Sequence, residues 1–150
     1  MNVLVGALIS VGAIISAIIL GTSLTIFLDV ITLHLAIVLP AGFLIQAHGF
    51  KSLKSLAHAM GCWVRSERHP PEELSDARSV VASASKANIL SAHICVLIGV
   101  VQIAQGIDPD DIGVIGPAVS VALLSYFYAL CIEMTILGPV GRRLDQQVRP

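Results

Sequence analysis

The residues of this chain with chemical potential are few, and most lie inside long apolar runs. Glu133 stands toward the end of the run Ile112–Leu137. His34 and His93 lie in two other runs, with Asn88, Ser91, Ser120 and Ser125 as further polar groups at the same kind of depth. Polar side chains inside a bilayer are expensive and commonly functional. Glu133 is a candidate ion-relay carboxylate or partner of a basic group; the plainer alternative is a side chain reaching back to the inner interface. The histidines titrate near neutrality and suit a proton relay, against the alternative of neutral rings bonded to a neighbouring helix. The serines and Asn88 either line a polar path or join helices. Tyr126 and Tyr128 suggest packing. Cys62, Cys95 and Cys131 have no metal-type spacing and are read as small apolar residues. There is no Gly-rich phosphate loop, metal-ligand cluster or nucleophile–base pair in the sequence. The expectation is therefore a protein that is not an enzyme, with no resident cofactor and no nucleic-acid partner.

The elements that must position these residues are helices in a membrane. The chain is 55% hydrophobic and only 13% charged, whereas soluble domains carry about 25% charged residues. The fold class expected is an all-α membrane protein with four transmembrane helices. A short cytoplasmic helical extension separates the second from the third. The spans fall at about 3–27, 30–48, 87–105 and 112–138, the loop at about 49–86, all in one domain. The start, MNVLVGALIS, has no basic region and no clear cleavage site, so a retained first span is expected rather than a removed signal peptide. Asp29 marks the first turn at a membrane surface, and Pro40 should kink the second span.

Phe50–Val64 places Phe50, Leu53, Leu56, Ala57, Met60 and Trp63 at helical spacing, with Lys51, Lys54, Ser55 and His58 on the other side. That pattern predicts an amphipathic helix continuing from the second span, at the interface or packed as an ordinary helix. Pro71-Glu72-Glu73-Leu74 looks like a new helix start, with acids where the dipole favours them, and this helix should merge into the third span. Gly138-Pro139 should close the fourth. Between these limits Val114–Leu137 is rich in small residues, including Ala118, Ser120, Ala122, Ser125 and Ala129. Lipid does not ask for small residues, but close approach of another helix does.

Charge sets the topology. All nine basic residues lie in the middle loop or the C-terminal tail, and the other two connections carry only acids, Asp29 and then Asp108, Asp110 and Asp111. By the positive-inside rule both termini and the middle loop are cytoplasmic.

These features together resemble the MotA/TolQ/ExbB family of membrane motor subunits, the MotA branch most closely. Phe27-Leu28-Asp29 stands at the turn of two N-terminal spans that look like that branch's paired spans. Phe50-Lys51-Ser52-Leu53 and Pro71-Glu72-Glu73-Leu74 are similar to the start of its cytoplasmic region. Ile98-Gly99-Val100-Val101 resembles the family's VxGLI, and Gly116–Tyr128 resembles its IGxAMAVALLTTLYG. The resemblance implies a homopentamer in a bacterial inner membrane around a MotB-, TolR- or ExbD-like single-span partner. Ion flow, of protons or sodium ions, would drive rotation. It also implies an ion-pathway or partner-facing role for Val96, Ser120, Ser125 and Tyr126, with Glu133 near the inner exit. The sequence departs from the family at Val96, where a threonine is expected, and at Ser125 and Tyr126, which replace a threonine pair. The middle loop is far shorter than in flagellar stators, so driving a flagellum is not expected. A non-conducting membrane scaffold of the same fold, anchoring a partner assembly, is the alternative.

Overall fold

A computed structural model describes residues 2–21, 27, 29–65, 71–106 and 115–148. They form α1 (Asn2–Gly21), α2 (Val30–His48), α3 (Lys51–Arg65), α4 (Pro71–Gly106), α5 (Ile115–Ile132), a π-helical turn (Glu133–Leu137) and α6 (Gly138–Val148). The described residues contain no strand, as the all-α expectation requires. Three stretches are long and apolar enough to cross a membrane: Val30–His48, Glu72–Gln105 and Ala122–Gln147. The first apolar helix is shorter over its described residues, Val5–Gly21. Residues 22–26 and 28 of the expected first span and turn, and the acidic connection at Asp108, Asp110 and Asp111, lie outside the described residues.

The local chemistry accounts for the helix limits. Asp29 caps α2, its carboxylate accepting from the backbone N–H of Ile31 and Thr32 and from the Thr32 hydroxyl. Helix α2 runs unbroken past Pro40 to His48. It then stops at Gly49, which has φ +74° and ψ 178°, a backbone region open essentially to glycine alone. The Gly49 N–H bonds the Ile45 carbonyl at 2.7 Å, and Ser52 Oγ donates to the Gly49 carbonyl at 2.6 Å. So α3 does not continue from α2 as expected; it is a separate helix set at a new angle by one glycine.

Helix α3 is also rotated from the face its hydrophobic spacing suggested. Ser52, Ala59 and Cys62 are its buried residues, flanked by half-buried Leu56, Met60 and Trp63. Phe50 precedes α3 in the turn and is 79% exposed, and Ala57 is exposed as well. Small residues go deepest because α3 packs closely on α4 and α6, and a narrow gap admits Ala and Cys before Phe.

The buried core is concentrated at one end of the molecule. Ala59, Ala77, Val81, Val140 and Leu144 form one cluster from α3, α4 and α6. Leu44, Val80, Ala84 and Leu137 form a second where α2 and the π turn join them. Polar ties surround these clusters: Arg78 to Asp145 at 2.6 Å, His58 to Glu73 at 3.8 Å, and Arg143 Nη1 donating to the Trp63 carbonyl at 3.2 Å. The Arg78–Asp145 ion pair and the His58–Glu73 contact are exposed and add little stability, so apolar packing holds this end together. Helix α4 has 36 residues, a rod of about 54 Å against a hydrocarbon thickness of about 30 Å. Its first half belongs to the packed end and its second half to the apolar one.

The last helix does not close at Gly138-Pro139. It continues through both residues to Val148. Proline lacks an N–H and crowds the carbonyl four residues back, and a π turn relieves both problems by widening the ladder. The Gly138 N–H reaches the Glu133 carbonyl, five residues back, and Pro139 then sits at the start of α6, where its missing donor is harmless. A Cβ on residue 138 would lie 2.9 Å from the Glu133 carbonyl oxygen, so the turn requires glycine there.

Candidate functional site

Helices α4 and α5 meet along a seam made from the small and polar residues of both. On α5, Ala122, Ser125 and Ala129 recur at helical spacing and are all buried. On α4, Asn88, Ser91, Ala92 and Cys95 are buried along one side. At Gly99 the helices come so near that a Cβ would lie 2.8 Å from Ala122 Cβ. The close approach expected of the last span is thus present, and a helix of the same chain provides it.

Hydrogen bonds cross this seam. Asn88 Nδ2 donates to the Ala129 carbonyl at 2.8 Å, both groups buried. Ser85 Oγ donates to Glu133 Oε1 at 2.8 Å. Ser125 is 4% exposed and hydrogen-bonds Cys95 across the seam. Glu133 Oε2 and Ser91 Oγ are buried without a hydrogen-bond partner among the described residues. The seam therefore contains two polar atoms whose bonding capacity is unused, one of them on a carboxylate at the first residue of a π turn. Such turns are frequent at functional sites.

The residues singled out from the sequence separate into groups. Ser125 is turned into the seam toward Cys95, not outward to a partner. Glu133 is half-buried beside Ser85, and Val96 is half-buried on α4. Ser120 is exposed, its hydroxyl donating to the Gly116 carbonyl of its own helix at 2.9 Å. Tyr126 is half-buried and packs edge-on against His93, ring centroids 5.1 Å apart. His93 Nδ1 contacts the Ile89 carbonyl at 2.8 Å; a carbonyl only accepts, so Nδ1 is the donor. His34 lies exposed on α2.

Two participants were not foreseen. Ser85 gave no signal of its own, although it lies three residues before Asn88 and so shares its face. Tyr128, read as packing, donates to the Phe27 carbonyl and accepts from the Asp29 N–H at 3.3 Å. That tie sets Asp29 beside Tyr128, the fourteenth residue of α5. Phe27 and Phe127 add an edge-on ring contact, centroids 5.4 Å apart.

Among the described residues no group of three or more His, Cys, Asp or Glu is placed to hold a metal ion. A groove of about 490 Å³ runs between α2, α3 and the π turn, lined by apolar residues such as Leu33, Ile37, Leu53, Met60 and Ile136, with Asn88 the polar exception. No family model matches this chain, and neither a curated protein nor a solved structure matches it.

Proposed function

We propose that this chain is a four-span subunit of an ion-driven inner-membrane complex of the MotA/TolQ/ExbB type. Five copies form a ring around a single-span partner, with both termini and the packed end on the cytoplasmic side. The observation that carries this reading is the α4–α5 pair. The stretches resembling the family's last two spans are those that come within a Cβ contact at Gly99 and Ala122 and are joined at Asn88 and Glu133. A rigid pair of this kind is a fitting repeat unit for a ring. Its outer surfaces are apolar, with Leu97 and Ile98 exposed on α4 and Leu123 and Leu130 on α5, and such surfaces need lipid or protein around them. Charge supports the sidedness. Seven of the nine basic residues lie on α3, the first half of α4 and α6; the other two, Arg68 and Arg149, are outside the described residues. Val96, Tyr126 and Ser120 are then the partner-facing positions, Ser125 stiffens the pair, and Glu133 stands at the inner exit.

Electron microscopy of the detergent-extracted protein tests the ring: fivefold particles are expected, and monomers or dimers contradict it.

A non-conducting scaffold of the same architecture is the second reading, and one observation favours it specifically. Ser125 is buried in the seam beside Cys95 and Tyr126 packs edge-on against His93, which leaves Ser120 as the hydroxyl exposed on α5. Proton flux into liposomes containing the chain and its single-span partner separates the two. Flux that falls on Tyr126→Phe or Ser120→Ala supports the conductor, and no flux above empty liposomes supports the scaffold.

A further inference from the structure

Helices α1 and α6 leave between them a groove of about 520 Å³ lined by small apolar groups, two arginines and the neutral polar side chains of Ser10 and Gln146. Gly6 and Ala7 of α1, with Met134 and Pro139, make a floor of small and apolar groups. Arg142 and Arg143 stand at the α6 end. The groove is open at Gly6, where a Cβ would meet nothing within 4 Å. Arg142 is exposed, its Nε donates to the Gly138 carbonyl at 3.4 Å, and no carboxylate among the described residues lies within ion-pair distance of it. A guanidinium is a planar fork matched to phosphate oxygens. Here it stands beside the small and apolar groups of Gly6, Ala7, Met134 and Pro139, at the end of the molecule where the basic residues gather.

We infer that this groove binds an anionic phospholipid, its phosphate on Arg142 and an acyl chain along Gly6, Ala7 and Met134. A free phosphate would use the cation but not the floor, and a neutral lipid would use the floor but not the cation. Both halves are engaged only by a lipid with net negative charge. The inference rests on the membrane reading of the helices and is independent of how many copies assemble. The bound lipid would also cover α1, which is exposed along much of its length.

Native mass spectrometry of the delipidated full chain, titrated with phosphatidylglycerol or phosphatidylcholine, tests this and counts the copies in the same spectra. Failure of the ring is therefore read separately from failure of the lipid site. Preferential retention of phosphatidylglycerol is expected. Arg142→Gln should weaken it about fivefold, the effect of one juxtamembrane cation. Gly6→Leu, which fills the open floor, should abolish the preference while circular dichroism shows unchanged helix content. Equal retention of the two lipids overturns the inference, as does an unchanged phosphatidylglycerol affinity in both variants. Displacement of the lipid by millimolar inorganic phosphate would show a free-anion site instead and would overturn it too.

Discussion

At the scale of single residues, the seam depends on a handful of contacts whose removal is measurable. Asn88→Ala deletes the bond to the Ala129 carbonyl. Hydrogen bonds between membrane helices average about 0.6 kcal/mol and reach about 2, so thermal unfolding in detergent should show a loss in that range. Glu133→Gln keeps an acceptor for Ser85, whereas Glu133→Ala leaves the Ser85 hydroxyl without its partner. The alanine variant should be the less stable of the two by about 1–3 kcal/mol; equal stability would mean that the Ser85 bond contributes nothing. That Asn88 and Ser91 face protein was legible in the sequence, because polar groups at helical spacing inside an apolar run have few other places to go. The direction of Ser125 was not. Periodicity tells which residues share a face, but not which helix that face meets, and here the neighbour is α4 of the same chain.

At the scale of elements, three glycines and two prolines decide where the helices start, bend, meet and continue. Gly49 holds the break between α2 and α3 with a backbone that side chains resist. Gly49→Ala should cost about 1–3 kcal/mol and expose the α3 cluster, read as faster proteolysis between α2 and α3. Gly99→Leu inserts a branched side chain where a Cβ already meets Ala122 at 2.8 Å. It should force α4 and α5 apart at about 1–3 kcal/mol or more, and pairing it with Ala122→Gly should recover part of the loss. The start of α4 at Pro71 and its run into the apolar stretch were legible, since proline and two acids in a first turn suit a helix start. The passage through Gly138-Pro139 was not. That pair reads as a stop unless a π turn absorbs the missing donor, and the turn depends on Glu133 and Gly138 meeting five residues apart. Gly49 misled in the opposite sense, because an unbroken apolar and amphipathic pattern hides a single left-handed residue.

At the scale of the whole molecule, a packed polar end and an open apolar end divide the labour. The core clusters and most of the positive charge share the first. The second exposes large aliphatic side chains from α1, α2, α4 and α5, more than lone surface residues account for. Composition alone made the membrane class legible. The tie of Asp29 to Tyr128 was not, since a backbone-to-tyrosine contact 99 residues apart leaves no local pattern. These apolar faces need lipid or protein around them, and in the proposed ring neighbouring copies supply part of that cover. Native mass spectrometry of the solubilised protein in a mild detergent tests that claim most directly. Five copies of the 15.8 kDa chain, persisting as detergent is stripped, are the predicted result; a monomer or dimer across the same conditions would contradict it.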